Sequence, residues 1–272
     1  MSQWISFSSG GGSISNLDTS YEQVGFGSGD GTTITTSTAN TKGSYVQLSA
    51  STANDWAGFW MSLGPASASG TRYLFDVSFD GGSTVALPNF FVQPGANLSG
   101  QGPLVFVPLN VPAGSDFRVR AQASTGTNTF RMGVMGAIRT SQSRPMYNTC
   151  TAINAADTAT TYAGSISIPL TNAWTEINAS TSGTYGAIMG SFTANNATAA
   201  QAVGIAVGVG GSGSEVELAR VLSGYNTSSP ALRGATIPLI ERSIASGSRI
   251  AARCYGPTPN SDVILGQFFG FS

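Results

Sequence analysis

Hydrophobic and polar side chains alternate with a period of two along much of the chain. The clearest run begins at Arg72, and its large apolar side chains fall on one face: Tyr73, Phe75, Val77 and Phe79. A later run from Ala202 alternates apolar residues with small ones in the same way. This period indicates half-buried β-strands, because successive side chains of a strand point to opposite faces. Each run ends in glycines, which readily adopt the positive φ angles of tight hairpin turns.

Similar segments occur twice, in the same order. The stretch 44–64, SYVQLSASTANDWAGFWMSLG, is similar to the stretch 173–192, AWTEINASTSGTYGAIMGSF. Further pairs follow, among them GSDFRVRA with GSRIAARC, and each set closes on an apolar run rich in small residues. Because the pairs keep their order, we interpret them as an internal duplication.

Short strands with frequent turn signals are typical of a β-sandwich. We therefore predict an all-β fold of two tandem antiparallel β-sandwiches, of jelly-roll or immunoglobulin-like type. The first would span residues 1–140 and the second 141–272, with the joint around Arg144-Pro145. The best helical candidate, 238–246, matches a proline-rich stretch of the first copy, which argues against a helix there.

The first 20 residues precede anything that is repeated. Trp4, Ile5 and Phe7 are large apolar side chains followed by a Gly/Ser-rich tether. One interpretation is a first strand of the first sandwich. The other is an assembly arm that docks on a neighbouring subunit by strand addition.

The chain carries very little charge. Charged residues make up 9% of it, against about 25% in an average soluble domain, and the net charge is −1. No basic stripe suits a nucleic acid, and no apolar run is long enough for a membrane-spanning helix. Since weak charge gives little mutual repulsion, we expect much of the surface to be covered by other protein subunits.

The N-terminus has neither the basic region nor the long apolar region of a secretory signal, so synthesis in a cytoplasm is expected. The two cysteines, Cys150 and Cys254, could form a disulfide within the second half. In a reducing compartment two buried free thiols are the alternative.

Residues that commonly carry catalysis are scarce. The chain has no histidine and a single lysine, Lys42, in a segment typical of a solvated loop. Paired carboxylates remain conceivable as a glycosidase site, with Asp55, Asp76 and Asp80 as candidates. No acid recurs at the corresponding positions of the second copy, so we predict no enzyme, no cofactor and no metal site.

Aromatic residues cluster at Trp56, Phe59 and Trp60. Beside Asn and Asp, such a cluster could form a glycan- or receptor-binding face. Core packing is the competing interpretation, because the second copy holds Tyr, Ile and Met at these positions.

The uncharged Gly/Ser/Thr/Ala/Asn-rich strands, the repeated phrase and the apolar N-terminal segment resemble virion structural proteins of tailed bacteriophages. Within that group, the chain is similar to decoration, collar, fibre and baseplate-associated proteins built from tandem β-sandwiches. The resemblance implies location in the virion, self-association, often as trimers, and docking onto capsid, neck or tail proteins. The expected function is a non-enzymatic structural component, and the alternative is a fibre or adhesin that binds a host-surface glycan or receptor.

Overall fold

The computed structural model describes residues 20–27, 31–67, 71–92, 104–141, 143, 146–153, 166–196, 201–225, 236–256 and 262–272. Every regular element in these ranges is a β-strand, and every pairing between strands is antiparallel. The prediction of an all-β antiparallel sandwich fold is confirmed. Trp4, Ile5 and Phe7 lie outside the described residues, so the assembly arm stays a prediction.

Within the described residues, the first sandwich has nine strands: β1 (Tyr21–Val24), β2 (Thr32–Thr35), β3 (Val46–Ser49), β4 (Trp56–Ala66), β5 (Tyr73–Ser78), β6 (Leu87–Val92), β7 (Leu104–Val111), β8 (Phe117–Ala123) and β9 (Thr129–Ile138). One of its two sheets, which we call the first front sheet, has the order β1-β9-β4-β7, and β2 pairs with a different part of β9. The other sheet, which we call the first back sheet, has the order β3-β8-β5-β6.

The described part of the second sandwich has nine further strands: β10 (Cys150–Ala152), β11 (Ile166–Pro169), β12 (Thr175–Asn178), β13 (Ala187–Asn196), β14 (Gln201–Val209), β15 (Val216–Tyr225), β16 (Thr236–Ile240), β17 (Ile250–Tyr255) and β18 (Val263–Phe271). The second front sheet has the order β10-β18-β13-β16, with β11 on β18. The second back sheet has the order β12-β17-β14-β15.

The second sandwich repeats the first strand for strand. Each strand of a first sheet corresponds to the strand nine places later in the second, and the additional pairing of β2 recurs in β11. This repeated topology supports the duplication that we inferred from the sequence.

A threonine of the repeated phrase closes the same corner in both sandwiches. The hydroxyl of Thr52 donates to the carbonyl of Pro112 (2.9 Å) and accepts from the amide of Ser115 (3.1 Å). Thr181 makes the equivalent pair of bonds to the backbone of 245–248. Both threonines are buried. The letters S-T therefore recur because they fix a corner of the fold.

An aromatic ring of the same phrase covers a glycine in each copy. A Cβ on Gly136 would lie 2.0 Å from the ring of Trp56, and one on Gly270 would lie 2.5 Å from the ring of Tyr185. The two glycines occupy corresponding places in β9 and β18. The glycines of these strands thus make room for large rings in the sandwich interior.

The outer face of the second front sheet packs against the first sandwich. Phe269 stacks on Phe90 of β6, with ring centroids 5.5 Å apart and planes inclined by 13°. Met189 and Phe271 belong to the same buried cluster as the core of the first sandwich. The second front sheet is therefore buried on both faces.

This contact closes the open side of the first sandwich, between the edge strands β6 and β7. Strand β6 crosses β10, β13 and β18 of the second front sheet. The amide of Phe91 donates to the hydroxyl of Ser191 over 3.1 Å, and Leu265 packs against Phe91 and Leu74. Apolar packing and a buried hydrogen bond thus hold the two sandwiches together.

Candidate interaction surface

The outer face of the first front sheet carries a group of aromatic and apolar side chains, which we call the aromatic face: Tyr21, Trp60, Phe106 and Met135. The ring centroids of Trp60 and Phe106 are 4.7 Å apart, and those of Tyr21 and Trp60 are 5.5 Å apart at 73°. Tyr21 is 49% exposed, and the other three side chains are half-buried. Such a patch on a sheet surface is typical of an interaction site.

Strand register brings the aromatic face together. Trp60 in β4 lies directly opposite Phe106 in β7 on one side and Met135 in β9 on the other. Side chains at opposed positions of neighbouring strands are close enough to pack. Gly58 leaves room for the Phe106 ring, because a Cβ there would lie 2.6 Å from that ring.

Glu22 attaches β1, and with it Tyr21, to the start of β4. Its carboxylate accepts hydrogen bonds from the amides of Ala53 and Asn54 and from Nε1 of Trp56, at 2.7, 3.0 and 2.9 Å. Burial raises the pKa of Glu22, but these hydrogen bonds outweigh burial, so its pKa lies below the ordinary value. The carboxylate is a structural acceptor that fixes the edge of the aromatic face.

The predicted glycan face of Trp56, Phe59 and Trp60 does not form as a unit. Trp56 and Phe59 are fully buried in the core of the first sandwich, where both pack against Phe117. A β-bulge between Trp56 and Phe59 shifts the alternation of side chains, so Trp56 and Phe59 both face the core and only Trp60 of the three faces outward. The core interpretation therefore applies to Trp56 and Phe59, and the glycan-face interpretation is wrong for these two residues.

A second apolar surface lies on the second sandwich, along the edge strand β15 and the neighbouring β16. We call it the edge patch: Leu218, Val221, Leu222 and Ile240. Leu222 is 83% exposed, and the other three are half-buried. A shallow pocket of about 210 Å³ lies beside Leu222, with Arg220 and Tyr255 among its walls.

The carboxylates considered for catalysis are engaged in structural contacts. Asp76 is buried and forms ion pairs with Lys42 (2.5 Å) and Arg120 (2.8 Å). The side chain of Lys42 is 10% exposed, so the expectation of a solvated loop lysine is wrong. Asp55 accepts a hydrogen bond from a backbone amide. Asp80 accepts hydrogen bonds within its own turn, and those from Thr84 lower its pKa to about 2.

A charged cluster occupies the outer face of the second back sheet. Glu217 accepts hydrogen bonds from Arg220, Arg253 and Tyr255, each over 2.9 Å. The hydrogen bonds from Arg220 are the largest of the effects that lower the pKa of Glu217, to about 2. Arg253 also lies over the ring of Trp174, 4.3 Å from its centroid. Glu217 thus forms ion pairs with both arginines of the cluster.

The two cysteines are free thiols, so the disulfide between Cys150 and Cys254 is not formed. Cys150 lies on the second front sheet beside the junction, whereas Cys254 is in the core of the second sandwich. Burial raises the pKa of both thiols, that of Cys254 to about 12. Within the described residues, no group of three or more His, Cys, Asp or Glu side chains could hold a metal ion. No helix of the described part is long and apolar enough to cross a membrane.

The chain has a distant similarity to a solved structure, that of PNGF-II in the C2 space group, with a TM-score of 0.37 and 9% sequence identity. The match covers 84% of this chain and 59% of that chain, so this chain spans less than two thirds of the other. No protein-family model and no curated protein matches the chain. A similarity at this level carries no argument about activity.

Tyr21, Phe106 and Leu222 were not among the site residues predicted from the sequence. A signal for Phe106 was present, because Leu104 and Phe106 alternate with Val105 and Val107 in one strand. If Val105 and Val107 face the core, then Leu104 and Phe106 must face the outer surface of the sheet. No comparable signal marks Leu222, because its exposure depends on the position of β15 at the edge of the second back sheet.

Proposed function

We propose that the chain is a non-enzymatic structural subunit of a tailed-phage particle, which binds other protein subunits through its aromatic face. The observation that carries the proposal is a comparison of equivalent surfaces. In the second sandwich, Met189, Ser191 and Phe269 on the outer face of the front sheet are buried against the first sandwich. In the first sandwich, the corresponding face carries Tyr21, Trp60, Phe106 and Met135, which are exposed or half-buried.

The low charge of the chain supports a protein partner. Aromatic residues and Met are enriched at protein–protein interfaces, where charged residues are depleted. The aromatic face has this composition, and the chain as a whole has a net charge of −1. A non-enzymatic role is supported by the carboxylates, because Asp76, Asp80 and Glu22 all hold parts of the fold in place.

A matched pair of variants tests the proposal. Trp60→Lys places a charge in the aromatic face, and Ser51→Lys places the same charge on an exposed loop of the same sandwich. We expect the unmodified protein and Ser51→Lys to sediment as multi-subunit species, and Trp60→Lys to sediment as a monomer with its fold intact. Unmodified protein that is monomeric at every concentration measured would contradict the proposal.

The particle itself gives the second test. Phage particles purified from a host that carries the gene should contain the chain, as detected by mass spectrometry after density-gradient centrifugation. Deleting residues 1–20 should abolish incorporation while both sandwiches stay folded, if those residues form the predicted arm. Absence of the chain from purified particles would refute a virion location.

A glycan-binding role is the alternative, and the exposure of Tyr21 beside Trp60 is what favours it. Exposed rings of this kind can stack on sugar faces. A glycan array with purified protein should be blank under the structural proposal. Binding that is lost in Trp60→Lys and kept in Ser51→Lys would establish the alternative.

A further inference from the structure

Because the two sandwiches are duplicates, the contact between them within one chain suggests how two chains could bind each other. Within the chain, the outer face of the second front sheet covers the open side of the first sandwich, between β6 and β7. The first front sheet is equivalent to the second front sheet, and the β15/β16 side is equivalent to the β6/β7 side. Each chain therefore carries one further front-sheet face and one further sandwich side of the same types, and at this second side β15 and β16 are in contact with each other.

Register identifies the residues that correspond on the open side. Phe91 in β6 pairs with Leu74 in β5, and Leu222 in β15 pairs with Gly204 in β14, at the matching place in each back sheet. Phe91 is 2% exposed because the second front sheet covers it, whereas its counterpart Leu222 is 83% exposed. Leu222 is thus an apolar side chain at a position where the template has a buried contact.

Register also identifies the residues that correspond on the covering face. Met189 pairs with Phe269 in the second front sheet, as Trp60 pairs with Met135 in the first. All four side chains are large and apolar, so these two positions of the first front sheet have kept the chemistry of a covering face, whereas Leu265, which packs on Phe91, corresponds to Arg131.

A polar position on the covering face is also kept. Two residues after Met189 comes Ser191, whose hydroxyl accepts the hydrogen bond from the amide of Phe91. Two residues after Trp60 comes Ser62. The first front sheet therefore has a serine at the same place.

We propose that the aromatic face of one copy packs over the edge patch of the next, so that copies associate head to tail. The proposal rests on the proposed function and names its partner as a second copy of this chain. The Trp60 and Met135 side chains of one copy take the places that Met189 and Phe269 have at the internal junction. Val221 and Leu222 of the neighbour take the places of Phe90 and Phe91.

Such a contact joins two different surfaces. A heterologous interface leaves one face and one edge unsatisfied at the ends of any open chain of copies, so it generates a closed ring or a filament. The same geometry repeats at every sandwich boundary, within and between chains. A row of copies would then be a continuous series of sandwiches with alternating covalent and non-covalent junctions.

Two blocking variants test the inference. Trp60→Lys blocks the aromatic face, and Leu222→Glu blocks the edge patch. The matched control for the second is Val216→Glu, which introduces the same charge at a 57% exposed apolar residue near the other end of β15. Ser51→Lys is the control for the first. Circular dichroism and thermal unfolding check the fold of each variant, and Tyr21→Lys replaces Trp60→Lys if the latter does not fold.

Analytical ultracentrifugation of each variant alone and of mixtures gives the readout. Each blocking variant alone should associate about 30-fold more weakly or worse than the unmodified protein, the usual effect of losing a central interface residue. An equimolar mixture of Trp60→Lys and Leu222→Glu should form a dimer that does not grow. One intact face and one intact edge remain in that mixture, which is sufficient for a single head-to-tail contact.

The possible outcomes separate this inference from the proposed function. If Trp60→Lys is monomeric while Leu222→Glu associates like the unmodified protein, the aromatic face has another partner, such as a second aromatic face. The head-to-tail inference is then wrong, and the proposed function stands. If neither blocking variant changes the association, both are wrong. Loss of association in the two controls as well would also overturn the inference.

Discussion

Replacing Thr52 with valine removes one buried hydroxyl and leaves the shape of the side chain nearly unchanged. Three hydrogen bonds meet at this corner. The Thr52 hydroxyl donates to the carbonyl of Pro112 and accepts from the amide of Ser115, and the Ser115 hydroxyl also donates to Pro112. After the substitution the carbonyl keeps the bond from Ser115, at 2.7 Å, but the Ser115 amide loses its acceptor.

The magnitude follows from that unpaired amide. Ser115 is buried, and a buried donor without a partner costs about 1–3 kcal/mol in addition to the lost bond. We expect Thr52→Val to lower the free energy of unfolding by about 2–3 kcal/mol. In the second sandwich, the Ser248 amide lies 3.2 Å from the carbonyl of Ala245 as well as 3.1 Å from the Thr181 hydroxyl. That amide keeps an acceptor, so Thr181→Val should cost only about 1 kcal/mol.

Thermal unfolding followed by circular dichroism measures the difference. For a protein of this size, 1 kcal/mol corresponds to a shift in Tm of roughly 2–4 °C. Thr52→Val should therefore lower Tm by roughly 4–12 °C and Thr181→Val by roughly 2–4 °C. Thr52→Ser, which keeps the hydroxyl, is the control and should lose less than Thr52→Val. Equal losses for the two valine variants, or a larger loss for Thr181→Val, would refute the reasoning.

Three further predictions concern pH, packing and the junction. The pKa of Glu217 in the folded protein is about 2, below the ordinary 4.5. The contribution of Glu217 to the stability of the fold is therefore complete above pH 4.5 and is lost as the pH falls towards 2. Glu217→Gln should flatten the dependence of Tm on pH in that range. Gly136→Ala should lower the stability by about 1–3 kcal/mol or more in denaturant unfolding, because its methyl group must displace the buried Trp56, whereas Gly183→Ala, with only an ordinary 3.9 Å contact, should be close to neutral. The amide of Gln267 is fully buried with no hydrogen-bond partner, so Gln267→Met should raise Tm, and a lower Tm would show that the amide is satisfied in solution.

The strands and their duplication could be predicted from the sequence because both depend on local pattern. Tyr73, Phe75 and Val77 alternate with residues of the opposite face, and all three are in the core of the first sandwich. The repeated S-T phrase could be recognised without knowing its partners. Its structural role could not be predicted, because Thr52 accepts a hydrogen bond from Ser115, a residue that is distant in the chain.

The surface could not be predicted in the same way, because exposure depends on how the sandwiches pack. Trp56, Phe59 and Trp60 are equally apolar, and only their place in β4 decides which one reaches the outside. Lys42 lies in a segment typical of a loop, yet Asp76 of a distant strand draws it into a buried ion pair. Leu222 and Phe91 hold equivalent positions, and the presence of a covering sheet alone makes one exposed and the other buried.

The second front sheet contributes side chains to the buried clusters of both sandwiches. If the two sandwiches were produced as separate proteins, Met189, Phe269 and Phe271 would become exposed to water and form an apolar surface that favours aggregation. We therefore expect that neither half is stable in solution without the other.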